Sequence, residues 1–418
     1  MANPRYVPRL VDSWLTELVA DVPAVLLVGP RARGKTTTAQ RHAKTILRLD
    51  VANVRDAVLG DPDAVLDEAV APVLVDEWQL APGVMAAAKR LVDARPEAGR
   101  SLFAGSGGDD AGVDQWPGTG RFIRVPMWGM TRREIEGRVG PSMFIDRIVD
   151  GRHGDALAIN LPQVRPDTAG YIDRLLASGF PEANARVSER TRFAWLDSYV
   201  DHLVGRDVAL IADVRDPRRL RRYLRVLAAS TAGEPSTETL LGASDLNRAT
   251  ADRYDALLER LYVTERVPSW SSNRLTRVSS RMNRYVCDPA IAAALIGADR
   301  RSILRDADLL GRLLDSFVAA QLRPELRLGR RPATMFHLRQ DGGRREVDIV
   351  IERSDGLLVG IEVKAGSSVA RHDARHLMWL RDRLPPGQLV AGLVLHTGQH
   401  VVALDERIWA VPICALWG

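Results

Sequence analysis

The chain is poor in cysteine, in lysine and in long apolar runs, and each shortage narrows what it can do. Cys287 and Cys414 are the only cysteines in 418 residues, too few for a disulfide framework or a cysteine metal site, which points to a reducing cytoplasm. No apolar run approaches the ~20 residues that a membrane-spanning helix needs. The opening stretch MANPRYVPRLVDSWL lacks the apolar segment of a secretory signal. A cytoplasmic protein without a membrane partner is the expectation. Lysine is scarcer than its role would suggest: among 58 basic residues only Lys35, Lys44, Lys89 and Lys364 are lysines. Arginine supplies nearly all the positive charge, so a retained lysine marks a place where a compact ammonium differs chemically from a planar guanidinium. Lys35 and Lys364 fall inside the two motifs that carry most of the chemistry.

What is present is ordinary for a globular protein, with 46% hydrophobic and 27% charged residues. The length predicts two or three domains. A net charge of +5 and a pI near 9.4 are compatible with a polyanionic partner without requiring one. From Val22 the pattern is strand, glycine loop, helix, followed by further strands at TILRLD, PVLVDE and SLFAGSG alternating with helices, as in a parallel α/β sheet. A first domain over residues 1–160 is expected. Residues 161–290 read as mainly helical, with LRRYLRVLAA, STETLLGAS and NRATADRYDALLERL followed by an extended segment, the pattern of a winged helix whose third helix spans Asn247 to Leu261. Residues 291–418 read as mixed α/β with a hairpin at the centre.

Gly29-Pro30-Arg31-Ala32-Arg33-Gly34-Lys35-Thr36-Thr37 fits GxxxxGK[ST], between an apolar strand and a helix as a phosphate-binding loop requires. Its backbone N–H groups and the helix N-terminus would cradle the phosphates of ATP. Lys35 would reach the β and γ phosphates, and the Thr36 hydroxyl would bind Mg2+. Asp76 at the end of PVLVDE would share that ion, Glu77 would orient the attacking water, and Ser106 would sense the γ phosphate.

These residues resemble an AAA-type ATPase family of bacteria and archaea. The resemblance rests on YVPR at Tyr6 to Arg9, the glycine loop, Asp76-Glu77-Trp78-Gln79, the strand end Ala104 to Ser106, and Gly120-Arg121. It implies ATP and Mg2+ as cofactors, and a homo-oligomer is compatible with it. Arg33 inside the loop is a departure from the family pattern. Arg121, Arg132 and Arg133 are the candidates for an arginine finger, with Arg121 also taken as a nucleotide-binding residue.

In REVDIVIERSDGLLVGIEVKAG, Ser354-Asp355-Gly356 is a natural three-residue hairpin loop. Centred on Asp355, the register places Asp348 opposite Glu362 and Glu346 opposite Lys364. It also sorts Val347, Ile349, Ile351, Val359, Ile361 and Val363 to the other face. Opposed carboxylates repel unless a cation or proton lies between them. Asp348 and Glu362 would therefore bind a metal, completed by the Val363 carbonyl, while Lys364 polarises water or stabilises a pentavalent phosphate. A hairpin with a wet, charged outer face is the competing reading.

The D…ExK pattern is similar to the PD-(D/E)xK nuclease superfamily. That likeness implies a restriction-endonuclease-like α/β fold and a further acid from the preceding helix, for which Asp315 is the candidate. End to end, the chain resembles ATP-binding proteins that carry a C-terminal domain of unknown function. Nucleic acid, with DNA the first candidate and RNA still open, is the expected partner. Arg215, Arg218, Arg219, Arg221, Arg222 and Arg225 would neutralise phosphates, with Asn247, Arg248 and Arg253 in a groove. A protein partner for the winged helix is the alternative. His372 and His376 share a helix face but lack the HExxH glutamate, which argues against zinc. Two functions compete: an ATPase coupled to a metal-dependent nuclease, and a nucleotide switch whose nuclease-like part is an inactive docking platform.

Overall fold

The structure is a computed structural model that describes residues 6–105, 120–140, 142–151, 157, 159–208, 216–273, 275, 277 and 281–418. Its first sheet is five-stranded and parallel, in the order β2 (Thr45–Arg48), β3 (Val73–Asp76), β4 (Ser101–Ala104), β1 (Ala24–Val28), β5 (Phe122–Pro126). The three inner strands read AVLLV, VLVD and SLFA and are buried throughout, as strands covered on both faces must be. The edge strands are more open: β2 alternates between half-buried and exposed positions, and β5 exposes Ile123 and Arg124. One face is covered by the helix Gly83–Ala94 through Val84, Met85, Ala87 and Ala88. The other is covered by the helix Val11–Asp21 through Val11, Leu15 and Leu18.

In the middle region the helices Pro217–Ala229, Thr237–Ser244 and Arg248–Arg260 come in the order expected, capped by Asp216, Ser236 and Asn247. An antiparallel pair follows, β6 (Thr264–Val267) with β7 (Asn283–Val286).

The second large sheet has six strands, in the order β12 (Val402–Asp405), β13 (Ile408–Pro412), β11 (Leu389–His396), β10 (Leu358–Lys364), β9 (Arg345–Arg353), β8 (Ala333–Gln340). Strands β8, β9 and β10 meander antiparallel, and β10, β11 and β13 run parallel. One face packs on the helix Ala307–Leu322, in a core that Tyr171, Leu224, Ile291 and Phe317 share with Ile349, Ile361 and Leu393. The middle helices and this sheet therefore bury one continuous interior. The boundary expected at 290 falls inside the helix Pro289–Ile296. The opposite face carries the helix Arg375–Arg383, whose Leu377 and Leu380 meet Val350, Leu358 and Val394. Among the described residues no helix is long and apolar enough to cross a membrane.

Candidate functional site

The nucleotide loop sits at the carboxyl end of β1. Ala32 and Gly34 both have positive φ, 57° and 88°, and the loop opens directly into the short helix Lys35–Ala39. Successive backbone N–H groups in such a turn converge on a small anion. Lys35 is 7% exposed, and its ammonium donates to the Gly29 and Pro30 carbonyls at 2.9 and 2.6 Å. Burial pulls it down to about 8 from the ordinary lysine value. Thr36 Oγ1 donates to Asp76 Oδ1 at 2.7 Å. Asp76 is 4% exposed, and burial holds its carboxyl above the usual range despite that hydrogen bond. The two residues meet because β3 lies one strand away from β1, with β4 between, so all three carboxyl ends open on the same side. Gln79 Nε2 donates to the Glu77 carboxylate, which fixes the acid beside the loop.

Ser106 and the glycine-rich stretch to residue 119 lie outside the described residues. Arg121 does not join the loop. It precedes β5, whose Phe122 pairs with Ala24 at the start of β1, so it stands at the opposite end of the sheet in an ion pair with Asp93. The other finger candidates are tied inside their own chain. Arg132 binds Glu136 at 3.1 Å, and the buried Arg133 binds Glu325 at 3.2 Å together with the Arg138 and Ser142 carbonyls.

Two features of the loop escaped the sequence. Arg9 donates to the Arg33 carbonyl at 2.8 Å, to the Trp128 carbonyl and to Glu134, so the YVPR segment clamps the loop's backbone. The Arg33 side chain leaves the loop altogether and is 3% exposed. No local pattern announces either feature: Arg9 is anchored by Glu134, 125 residues away, and the Arg33 side chain by Asp288, 255 residues away.

The hairpin begins as expected: Gly356 has φ 85°, and Glu352, Ile351, Val350 and Ile349 face Leu358, Val359, Gly360 and Ile361. The ladder then stops, so the opposed pairs Asp348–Glu362, Glu346–Lys364 and Val347–Val363 do not form. Against β8 the strand β9 carries one extra residue, with Phe336 opposite Val350 but Leu338 opposite Val347. This bulge at Asp348 and Ile349 turns Val347 to the side of Val350 and Leu358, away from the face expected for it. Bulges re-aim side chains in this way. Asp348 Oδ2 instead accepts the Val363 N–H at 2.7 Å. The outer face is wet only in part: Glu346 and Lys364 keep 42% and 37% of their side chains exposed, whereas the helix Arg375–Arg383 covers the strand beside them and Glu362 is 4% exposed.

Asp348, Glu362 and Lys364 are nevertheless brought together. Lys364 Nζ lies 3.1 Å from Glu362 Oε2. Glu362 Oε1 is buried without a hydrogen-bond partner, with His376 Nδ1 at 3.7 Å. Burial, then the Asp348 charge, pushes Glu362 well above the ordinary carboxylate range. Asp348 is raised by burial. Burial alone would lower Lys364, but Glu362 and Asp348 outweigh it and hold the ammonium above its ordinary value. Asp315 is buried on the helix Ala307–Leu322, takes the Tyr285 hydroxyl at 3.3 Å, and is raised by burial and by Asp348. Among the described residues no three carboxylate, imidazole or thiol groups close into a metal-sized cluster. His376 Nδ1 also meets the Glu346 backbone, 2.5 Å from its carbonyl and 3.2 Å from its nitrogen, a place beside the acids that its spacing from His372 did not suggest. His372 itself is 75% exposed.

The middle region divides its arginines. Arg218, Arg222 and Arg225 are exposed, whereas Arg221 is held by Asp197 and Asp201. Arg215 lies outside the described residues. Arg248 and Arg253 are exposed on the third helix, but the Asn247 side chain is spent capping that helix at the Thr250 N–H.

Residues 21–136 match the family described as AAA domain. The first domain is an AAA-type P-loop domain. Residues 168–302 and 310–416 match two domains of unknown function, DUF8612 and DUF4143. Uncharacterized proteins of Mycobacterium tuberculosis and Mycobacterium bovis are each 29% identical over 399 residues, covering 93% of this chain and 80% of theirs. Among solved structures, the Walker-type ATPase PaBY2304 of Pyrococcus abyssi is 13% identical, with a TM-score of 0.43 over 69% of this chain and 96% of its own.

Proposed function

We propose that the protein is a Mg2+-dependent ATPase that binds nucleic acid through its winged-helix-like middle region and couples nucleotide state to a nuclease-like module at its C-terminal end. The contact of Thr36 Oγ1 with Asp76 Oδ1 beside the buried Lys35 carries the ATPase reading. Two hard oxygen donors in contact suit Mg2+, and with the ion bound there the β- and γ-phosphate charge is offset. Lys35 exchanges its two carbonyl partners for phosphate oxygens. Glu77, oriented by Gln79, is the group to position the attacking water.

In the nuclease-like module the partnerless Glu362 Oε1 is the group that asks for a cation. Asp348 and Glu362 would hold a divalent ion, which would supply charge neutralisation at a scissile phosphate, while Asp315 stands behind Asp348. Lys364 is poised to stabilise that phosphate's charge. A second reading, an inactive docking platform, is favoured by the pairing of Lys364 with Glu362 and of Asp315 with Tyr285. Incubation of the full chain with DNA and RNA in Mg2+ or Mn2+ separates the two. Cleavage lost in Lys364→Ala and kept in Lys35→Ala supports the nuclease; no cleavage depending on Asp348, Glu362 and Lys364 rejects it.

A further inference from the structure

The loop's own arginine is the least expected group in the nucleotide site. Arg33 stands directly before Gly34 and Lys35, yet its guanidinium points away from any nucleotide and into the neighbouring region. There it stacks 3.3 Å over the Phe180 ring and donates to Asp288 Oδ2 at 2.9 Å. Asp288 is 3% exposed. Its Oδ2 also accepts the Ser178 hydroxyl at 2.9 Å and the Gly179 N–H at 3.0 Å, and its Oδ1 caps the helix Pro289–Ile296 through the Ala290 N–H. A side chain on Gly129 would collide with the guanidinium, so the passage is built for an arginine. The Arg33 backbone is gripped from the other side, its carbonyl held by Arg9.

We propose that Asp288 is a positioning residue for the phosphate-binding loop, acting through Arg33, so that nucleotide binding and the seating of the helix Pro289–Ile296 form one linked equilibrium. The inference rests on the nucleotide-binding reading of the loop. If the helix moves, Asp288 leaves a buried guanidinium without its counter-charge, which the interior strongly disfavours. The loop must then shift to rehydrate Arg33, and Gly34 and Lys35 shift with it. A cavity of about 30 Å³, room for a water or two, lies beside the pair and is walled by Phe317 and Gln321. Those residues belong to the helix that carries Asp315, so the seating of Asp288 also senses the C-terminal module. Linkage requires the effect to be reciprocal: a seated helix tightens nucleotide binding, and bound nucleotide tightens the seat.

The test uses the full chain and a fluorescent MgADP analogue, with Lys35→Ala, Arg33→Met, Asp288→Asn and the double variant. Arg33→Met and Asp288→Asn are each expected to weaken affinity about tenfold, and the double variant no more than either, because the two groups act as one. Cys287, buried next to Asp288, reports the seat in a Cys414→Ala background. Saturating MgADP should slow its labelling by a thiol reagent about tenfold, a ratio set by the same coupling, and leave the rate unchanged in Arg33→Met. A purely structural role would speed labelling equally with and without nucleotide. Wild-type affinity in both single variants, additive losses, or labelling indifferent to MgADP overturns the proposal. If the wild type binds no nucleotide, or Lys35→Ala binds as tightly, the P-loop reading itself fails and the inference falls with it.

Discussion

Thr36 and Asp76 meet through a 2.7 Å hydrogen bond across forty residues of sequence, joining the start of the first loop helix to the end of β3. Each presents an oxygen to the same point, where Mg2+ is expected. Asp76→Asn keeps the hydrogen bond but removes the charge. Hydrolysis at saturating MgATP should then fall by about 100-fold or more, since metal and charge stabilisation carry most of phosphoryl transfer. Nucleotide affinity should change far less. Phosphate release measured against Mg2+ concentration checks it; an undiminished rate in the variant removes Asp76 from the site.

Lys35 makes affinity depend on pH. In the free protein its ammonium is held down to about 8 by burial, and phosphate oxygens raise it in the complex. A group whose pKa rises on binding contributes fully below its free value and is lost as pH climbs above it. MgADP affinity should therefore be flat below pH 8 in its Lys35 contribution and weaken by up to about tenfold per unit above it. Lys35→Arg, charged throughout, should lack that descent whatever affinity it retains. A wild-type profile level to pH 10 contradicts the assignment.

The features legible in the sequence are those whose chemistry lies close together along the chain. The glycine loop, the strand end at Asp76 and the three-residue turn at Asp355 are local patterns with local physics. The hairpin register held as far as Ile349 opposite Ile361, then failed, because the bulge is set by pairing with β8 rather than with β10. Glu362 could not be placed on a buried face from its own alternation, since the cover comes from the helix Arg375–Arg383. Arg33 and Asp288 are 255 residues apart, and neither has a neighbour that betrays the other.

The acids around Glu362 should cost stability at neutral pH. Glu362, Asp348 and Asp315 are all held above the ordinary carboxylate range. An acid with a raised folded pKa binds more protons folded than unfolded, so its penalty is absent below about pH 4, grows through the window above it, and is complete above the folded value. Glu362→Gln should therefore melt higher than the wild type at pH 8, with the difference vanishing toward pH 4. Mn2+ should raise the melting temperature of the wild type and do so much less for the variant. Identical melting curves at pH 8 contradict the buried charge.

Glu325 tests how the AAA domain is fastened to the rest. It pairs with the buried Arg133 and accepts the Phe144 N–H, and burial holds it up to about 7. Glu325→Ala leaves Arg133 without its carboxylate and should destabilise by about 3 kcal/mol. Glu325→Gln should cost clearly less, because burial already favours the uncharged carboxyl, whose shape and hydrogen bonding the amide keeps. Thermal melting of both variants at pH 7 checks the order. Equal losses would place the stabilisation in packing rather than in the pair.

The exposed arginines of the middle region test whether it binds nucleic acid or is merely solvated. Arg248 and Arg253 are exposed on the third helix, as are Arg218, Arg222 and Arg225 on the first. Arg221 is held by two aspartates, Asp197 and Asp201, whereas Arg222 and Arg248 have one each, Asp245 and Asp252, at 3.9 Å. Each exposed arginine that meets a phosphate adds about one unit to the slope of log affinity against log salt. Arg248→Ala with Arg253→Ala should lower that slope by about one to two units and weaken binding to all duplex sequences alike. Arg221→Ala should leave the slope unchanged, since an arginine already paired within the chain displaces no counterions from the duplex. Binding titrations of a duplex from 50 to 200 mM salt measure both, and a loss confined to Arg221→Ala would move the nucleic-acid surface away from the third helix.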